Sequence, residues 1–177
     1  RGAKQVMDAA AASGAILSVA ENYRRDPMNR LVKALLDGGV IGDPHLILET
    51  TIGGRDTILI TPWRHQKLTG TITLDAGVHN ADMLSYFFGD VATAYGQTRL
   101  HHPTRVRRET AGPGGFYEKW AAGIPDQIEA TGEDAIDGLL TFSNGRVGHW
   151  VQNHAGHGEG VRQRLIFGSK GMISAPD

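Results

Sequence analysis

Apolar and polar positions along the chain alternate in two distinct rhythms, and the rhythm changes near residue 43. Before that point the spacing is helical. Residues 2 to 13 are rich in alanine and read as a helix closed by Gly14. "AILSVAEN", residues 15 to 22, is a short apolar run of strand type. A second helix opens at Asp26, a good N-cap, with Pro27 in its first turn and Gly38-Gly39 at its end. Met28, Leu31, Val32, Leu35 and Leu36 give it one apolar face.

After residue 43 the period of two dominates. "HLILETTIG" and "VATAYGQTRLH" read as strands, and "AIDGLLTFSNGRVGHWVQN" as a hairpin around Asn144-Gly145. "VRQRLIFGSKGMIS" adds a further strand and a Gly-containing turn. Neighbouring strands joined by hairpins, with few helices, predict an α+β fold: an open, predominantly antiparallel sheet with helices on one face. Residues 102 to 128 are Gly/Pro-rich and read as a long loop, with Arg105, Arg107 and Arg108 as a solvated face.

One helix interrupts the strands, and it carries the candidate chemistry. At 100° per residue, Asp75, His79, Asp82 and Tyr86 fall on a single narrow stripe of residues 74 to 88. Leu74, Val78, Met83, Leu84, Phe87 and Phe88 make the rest of it apolar. Charges on so apolar a helix must line a polar cavity or be paired. The four-residue spacing puts Asp75 within reach of His79, where a carboxylate orients an imidazole for acid/base work. The competing reading makes Asp75 an N-cap and His79 a satisfied interior histidine.

Two further clusters flank this helix. Trp63, Arg64 and His65 lie just ahead of it in "TPWRHQK". "GHWVQNHAGHGEG" supplies His149, Trp150, His154 and His157, and strand alternation sends His149 and His154 to opposite faces. That argues against a metal held between those two, and leaves an ion shared by His154 and His157 as a minor alternative. Neither G-x-G-x-x-G nor the G-x-x-x-x-G-K-[ST] phosphate loop occurs.

Composition narrows the class. The 177 residues are 40% hydrophobic and 21% charged, with net charge −1 and no cysteine. Those values fit a globular domain and speak against nucleic-acid binding, anionic-membrane binding, disulfides and thiolate metal sites. No apolar run approaches the roughly 18 residues of a membrane span. The chain starts without methionine inside a helix and stops just after a strand, so it reads as a piece of a longer protein, cytoplasmic by default.

Taken in order, "SGAILSVAENYRRDP", "GGVIGDPHLI", "PWRHQKLTGTITLDAGVHNADML", "FSNGRVGHWVQN" and "IFGSKGMIS" resemble the Gfo/Idh/MocA oxidoreductases, the family of glucose-fructose oxidoreductase and inositol dehydrogenase. The resemblance implies that residues 1–22 are the remnant of an N-terminal Rossmann domain. Residues 23–177 are then most of a C-terminal substrate-binding α/β domain, incomplete at its end. It implies NAD or NADP as cofactor, bound mainly by an upstream domain carrying G-x-G-x-x-G and an E-K-P lysine. It also implies a carbohydrate or polyol substrate and a homo-oligomer formed through the open sheet face.

By the same resemblance, Asp75 and His79 match the catalytic D-x-x-x-H pair. Arg24 matches a substrate-binding position, and Asp82, His149 and His154 are further candidates for substrate contact. Asn22, Trp63 and Arg64 match positions that approach the cofactor. Where many members have Gly-Gly before the helix, this chain has Thr69, Gly70 and Thr71. The implied reaction is hydride transfer from or to a sugar or polyol carbon. A redox-neutral glycosidase or lyase using NAD transiently is the alternative, and a non-catalytic dimerisation or sugar-binding module is the second.

Overall fold

The structure, a computed structural model, describes residues 2–108 and 123–175. Helix α1 (Gly2–Ser13) buries none of its residues. Residues 15–22, predicted as a strand, form none: a strand exists only as one side of a hydrogen-bonded ladder, and among the described residues no neighbour pairs with this run. Ile16, Leu17 and Val19 are exposed there. A 3-10 turn (Tyr23–Arg25) follows, then α2 (Pro27–Asp37). Asp26 caps α2 as its sequence predicts, accepting from the Met28 and Asn29 amides.

The strands are β1 (Pro44–Gly54), the two-residue β2 (His65–Gln66) and β3 (Gly70–Thr71), β4 (Val91–Arg99), β5 (Thr104–Val106), β6 (Gln127–Glu129), β7 (Ala135–Phe142), β8 (Val147–Gly156), β9 (Val161–Gly168) and β10 (Met172–Ala175). Helix α3 (Ile72–Phe88) separates β3 from β4. Six strands form one open sheet in the order β10-β9-β1-β8-β7-β4. Every pairing is antiparallel except β1 with β8. The fold is therefore α+β with a mixed, mostly antiparallel sheet. β5 and β6 pair with each other inside the region read as a loop, whose residues 109–122 lie outside the described ones.

α2 and α3 lie on the same sheet face. Val32 and Leu36 of α2 meet Met83, Leu84, Phe87 and Phe88 of α3 over Ile47, Leu140, Phe142 and Ile166 of the strands. Helix and sheet approach closely at Gly77, where a Cβ would stand 2.7 Å from Gln152 Oε1 and 3.1 Å from the Trp150 ring. Asn144 closes the β7–β8 turn and donates to the Phe88 carbonyl at 2.8 Å, tying that turn to the end of α3.

A buried polar network runs through this core. Arg164 of β9 donates to both carboxylate oxygens of Glu49 of β1, at 2.5 and 2.8 Å, and to Asn29 of α2 at 2.9 Å. Asn80 of α3 donates to Glu49 at 2.7 Å. Both helices are thus fixed to the sheet by hydrogen bonds as well as by packing. Among the described residues no element packs on the other sheet face, and Tyr95, Leu139, Val161 and Met172 are exposed. Among the described residues no helix is long and apolar enough to cross a membrane.

Candidate functional site

Thr71, not Asp75, caps α3: its hydroxyl accepts from the Leu74 amide at 3.0 Å. The departure from a Gly-Gly pair thus supplies a helix cap. Gly70 keeps the conformation only glycine adopts readily, at φ 131°, with the Trp63 ring 3.2 Å from where a Cβ would be.

The predicted stripe is present, half-buried along its length, while Gly77, Asn80, Met83, Leu84, Phe87 and Phe88 face the interior. Each of its charged members pairs with a residue from outside the helix. Asp75 accepts from Arg64 Nε at 2.6 Å, and Arg64 also donates to the Thr61 hydroxyl at 2.8 Å. The expected Asp75–His79 contact is replaced by this pair, because a guanidinium delivered by the preceding loop is the stronger partner for a carboxylate. Asp82 receives a bidentate pair from Arg24, 2.6 Å at each oxygen. Tyr86 lies under the same guanidinium, 5.2 Å from ring centroid to Arg24 Cζ.

His79 is held from the segment that precedes α2. Its Nδ1 lies 2.8 and 3.0 Å from the two carboxylate oxygens of Glu21, and the Tyr23 ring stacks on it at 4.2 Å and 9°. Nε2 of His79 has no hydrogen-bond partner among the described residues, and the side chain remains 29% exposed. Val19, Glu21, Arg24, Arg25 and Asp82 line an open depression beside it. The Glu21 carboxyl is held below the usual carboxylate range. Burial acts most strongly, in the opposite sense, but the His79 hydrogen bond and the Tyr23 and Asn22 amides together outweigh it.

The loop that delivers Arg64 is braced at both ends. Ile60 takes a left-handed φ of 63°, rare for a β-branched residue, closed by a Thr61 N–H to Leu59 carbonyl bond of 2.7 Å. The Leu59 amide donates to Nε2 of buried His65 at 2.8 Å. Trp63 stays exposed, with the Arg64 guanidinium 4.5 Å over its ring. Asn22 is exposed at the start of the 3-10 turn.

Two sequence candidates fall elsewhere. His149 projects from the sheet face opposite α3, opposite Leu48 and Leu139 in register, because Gly148, Trp150 and Gln152 occupy the helix side. It is exposed and away from the stripe. His154 sits on the helix side but is bound inward, with its Nε2 2.8 Å from Gln152 Nε2 and its carbonyl accepting from Arg105. His157 meets His102 edge-on rather than His154. Among the described residues no three His, Asp or Glu side chains gather at metal-ligand distance.

Arg105 is not a solvated residue. It is fully buried, donates to Asp134 at 2.9 Å and to three backbone carbonyls, and forms the centre of a cluster with His65 and His154. Arg107 and Arg108 do lie at the surface, paired with Asp126 and Asp56. Sequence reading also missed Glu21. Its signal is a lone carboxylate at the end of an apolar run, two residues before Tyr23.

Comparison with known proteins adds to this geometry. A model of the GFO/IDH/MocA C-terminal domain matches residues 29–174. A Bacillus subtilis (strain 168) protein described as the uncharacterized oxidoreductase YrbE is 26% identical over 164 residues, 92% of this chain and 40% of that protein. An oxidoreductase from Agrobacterium radiobacter, solved with NAD+, L-tartaric acid and magnesium, has the same fold at a TM-score of 0.73 and 24% identity. That match covers 97% of this chain and 44% of that one. Levoglucosan dehydrogenase with NADH and L-sorbose gives 0.69 and 24%, over 90% and 40% of the two chains. The chain spans less than half the length of each of these relatives.

Proposed function

Because the chain belongs to the Gfo/Idh/MocA family through its C-terminal domain, we propose that it is the substrate-binding part of an NAD(P)-dependent oxidoreductase acting on a sugar or polyol hydroxyl. The observation that carries this reading is His79. One ring nitrogen is anchored on Glu21, the other has no hydrogen-bond partner among the described residues, and Glu21 itself lines the adjoining depression with Val19, Arg24, Arg25 and Asp82. A histidine so arranged exchanges a proton with a substrate hydroxyl.

The residues present fit the nicotinamide end of a dinucleotide rather than its phosphates. Trp63 offers an exposed aromatic face beside the Arg64–Asp75 pair, and Asn22 an exposed amide next to Glu21. By the family likeness, residues 1–22 are read as the end of a Rossmann domain whose glycine-rich turn would hold the phosphates. When bound, the nicotinamide supplies hydride transfer to or from the carbon that bears the hydroxyl.

The chain's own residues then divide the remaining work. His79 takes the hydroxyl proton during oxidation and returns it during reduction. Arg64 holds Asp75 fixed at the first turn of α3, placed to accept from a neighbouring substrate hydroxyl. Arg24 and Asp82 bind each other at the edge of the depression and present a polar rim to a polyhydroxylated ligand. The uncovered sheet face, with Tyr95, Leu139 and Met172, is where a second copy would pack.

The test is full-length His79→Ala assayed by nicotinamide absorbance over a panel of sugars and polyols. A loss of about 10²–10⁴ in kcat is expected. Near-normal turnover in the variant, or turnover of the intact enzyme without net nicotinamide change, would sink this reading.

A further inference from the structure

We propose that Glu21 is the positioning residue of His79, fixing the imidazole in the Nδ1–H tautomer so that Nε2 faces the substrate. The proposal rests on the reading of His79 as the acid/base group. It assigns to a residue outside α3 the task that the sequence spacing offers to Asp75.

Three observations support it. The first is geometric: both oxygens of Glu21 approach Nδ1, at 2.8 and 3.0 Å, and only a carboxylate facing an N–H makes that pair of contacts favourable. The second is competition. Asp75, four residues before His79, is already taken by Arg64 at 2.6 Å, and Asp82, three residues after it, is taken by Arg24. No carboxylate of the stripe itself is left to orient the ring.

The third observation is how Glu21 is held. Its Oε1 accepts from the Tyr23 amide at 3.1 Å, in the same residue whose ring stacks on His79. The Tyr23 carbonyl accepts from Asn29 at 3.1 Å, and Asn29 accepts from buried Arg164. A continuous path of hydrogen bonds therefore runs from the sheet interior to the ring plane of His79. Glu21 stays ionised because those hydrogen bonds outweigh its burial, so it remains an acceptor throughout the neutral range.

The tautomer matters because a neutral imidazole has one donor and one acceptor nitrogen. With the proton on Nδ1, Nε2 is the acceptor, free to receive a hydroxyl proton. With it on Nε2, the ring can only donate toward substrate. Without Glu21 the ring loses the partner that selects between these forms.

The experiment is nitrogen-15 NMR of the histidine rings in the full-length protein, paired with steady-state kinetics. The His79 signals are assigned against His79→Gln. Expected is a predominant Nδ1–H tautomer in the wild type and in Glu21→Gln, whose amide oxygen still accepts. Glu21→Ala is expected to shift the population toward Nε2–H and to lower kcat by about tenfold or more, within the 10²–10⁴ that a placed acid/base group supplies, with KM changed much less. A His79 tautomer unchanged in Glu21→Ala would overturn the proposal. A shifted tautomer with unchanged kcat would leave Glu21 as the positioning residue and overturn the acid/base role of His79 instead.

Discussion

Arg164 grips both oxygens of Glu49 across the β9–β1 pairing, with each side chain only 1% exposed. Such a pair is not a strong net source of stability, because desolvation offsets most of the attraction. Breaking it is another matter. Glu49→Gln or Arg164→Met leaves one buried charge uncompensated and is expected to cost roughly 3–5 kcal/mol in urea unfolding. Replacing both together is expected to cost much less. Equal losses in the single and double variants would show that the pair does not act as a unit.

The buried histidines predict an acid limit to stability. His65 and His154 are each pushed down to about 4, mainly by burial and then by the nearby Arg105 charge, against the opposing pull of Asp134. Their folded values lie below the ordinary 6.5, so the unfolded chain takes up protons first on acidification. Stability is full above about pH 6.5 and is lost progressively toward pH 4, by an amount on the order of 3 kcal/mol per histidine. Unfolding midpoints measured between pH 7 and 4.5 check this. His65→Gln is expected to flatten the curve, and an unchanged slope would remove His65 from the account.

Gly77 predicts a packing penalty. A methyl group there meets Gln152 Oε1 at 2.7 Å and the Trp150 ring at 3.1 Å. Gly77→Ala gains helix propensity but overfills the contact, so a net loss of roughly 1–2 kcal/mol is expected in denaturant unfolding. A more stable variant would mean that α3 can lift from the sheet at little cost.

Arg24 predicts a separation of stability from activity. Its pair with Asp82 is partly exposed, 44% on the arginine side, so Arg24→Ala should change stability by less than about 1 kcal/mol. In the full-length enzyme the same change strips one wall of the depression beside His79 and is expected to raise KM several-fold. Unchanged KM would place Arg24 among the structural residues.

How far the sequence reaches can be judged from particular residues. Asp26-Pro27 and Asn144-Gly145 mark an N-cap and a turn through local chemistry, and the structure has both where the residues put them. The stripe Asp75, His79, Asp82, Tyr86 is legible because helical periodicity is a property of the segment alone. Its partners are not. Arg64 and Glu21 come from segments 11 and 58 residues away, and i, i+4 spacing carries no information about them. His149 shows the same limit in a strand. Alternation separates it from His154, but both faces of β8 carry large side chains, so the pattern does not say which face meets α3. Arg105 was hidden by its neighbours: three arginines in four positions look solvated, and only the buried Asp134 gives the first of them a place inside.

The one parallel pairing of the sheet also sets an order of events during synthesis. β1 sits between β8 and β9, so Leu48 lies beside His149 on one edge and Leu165 on the other. A growing chain that has emerged only to Asn144 holds β1 with both edges open and its Glu49 without Arg164. Pairing of β4 with β7 can form earlier, but the centre of the sheet waits for still more distant sequence, and such late, non-local closure is slow. The interval exposes an apolar strand to other chains, which makes residues 44–54 the segment where misassembly would begin.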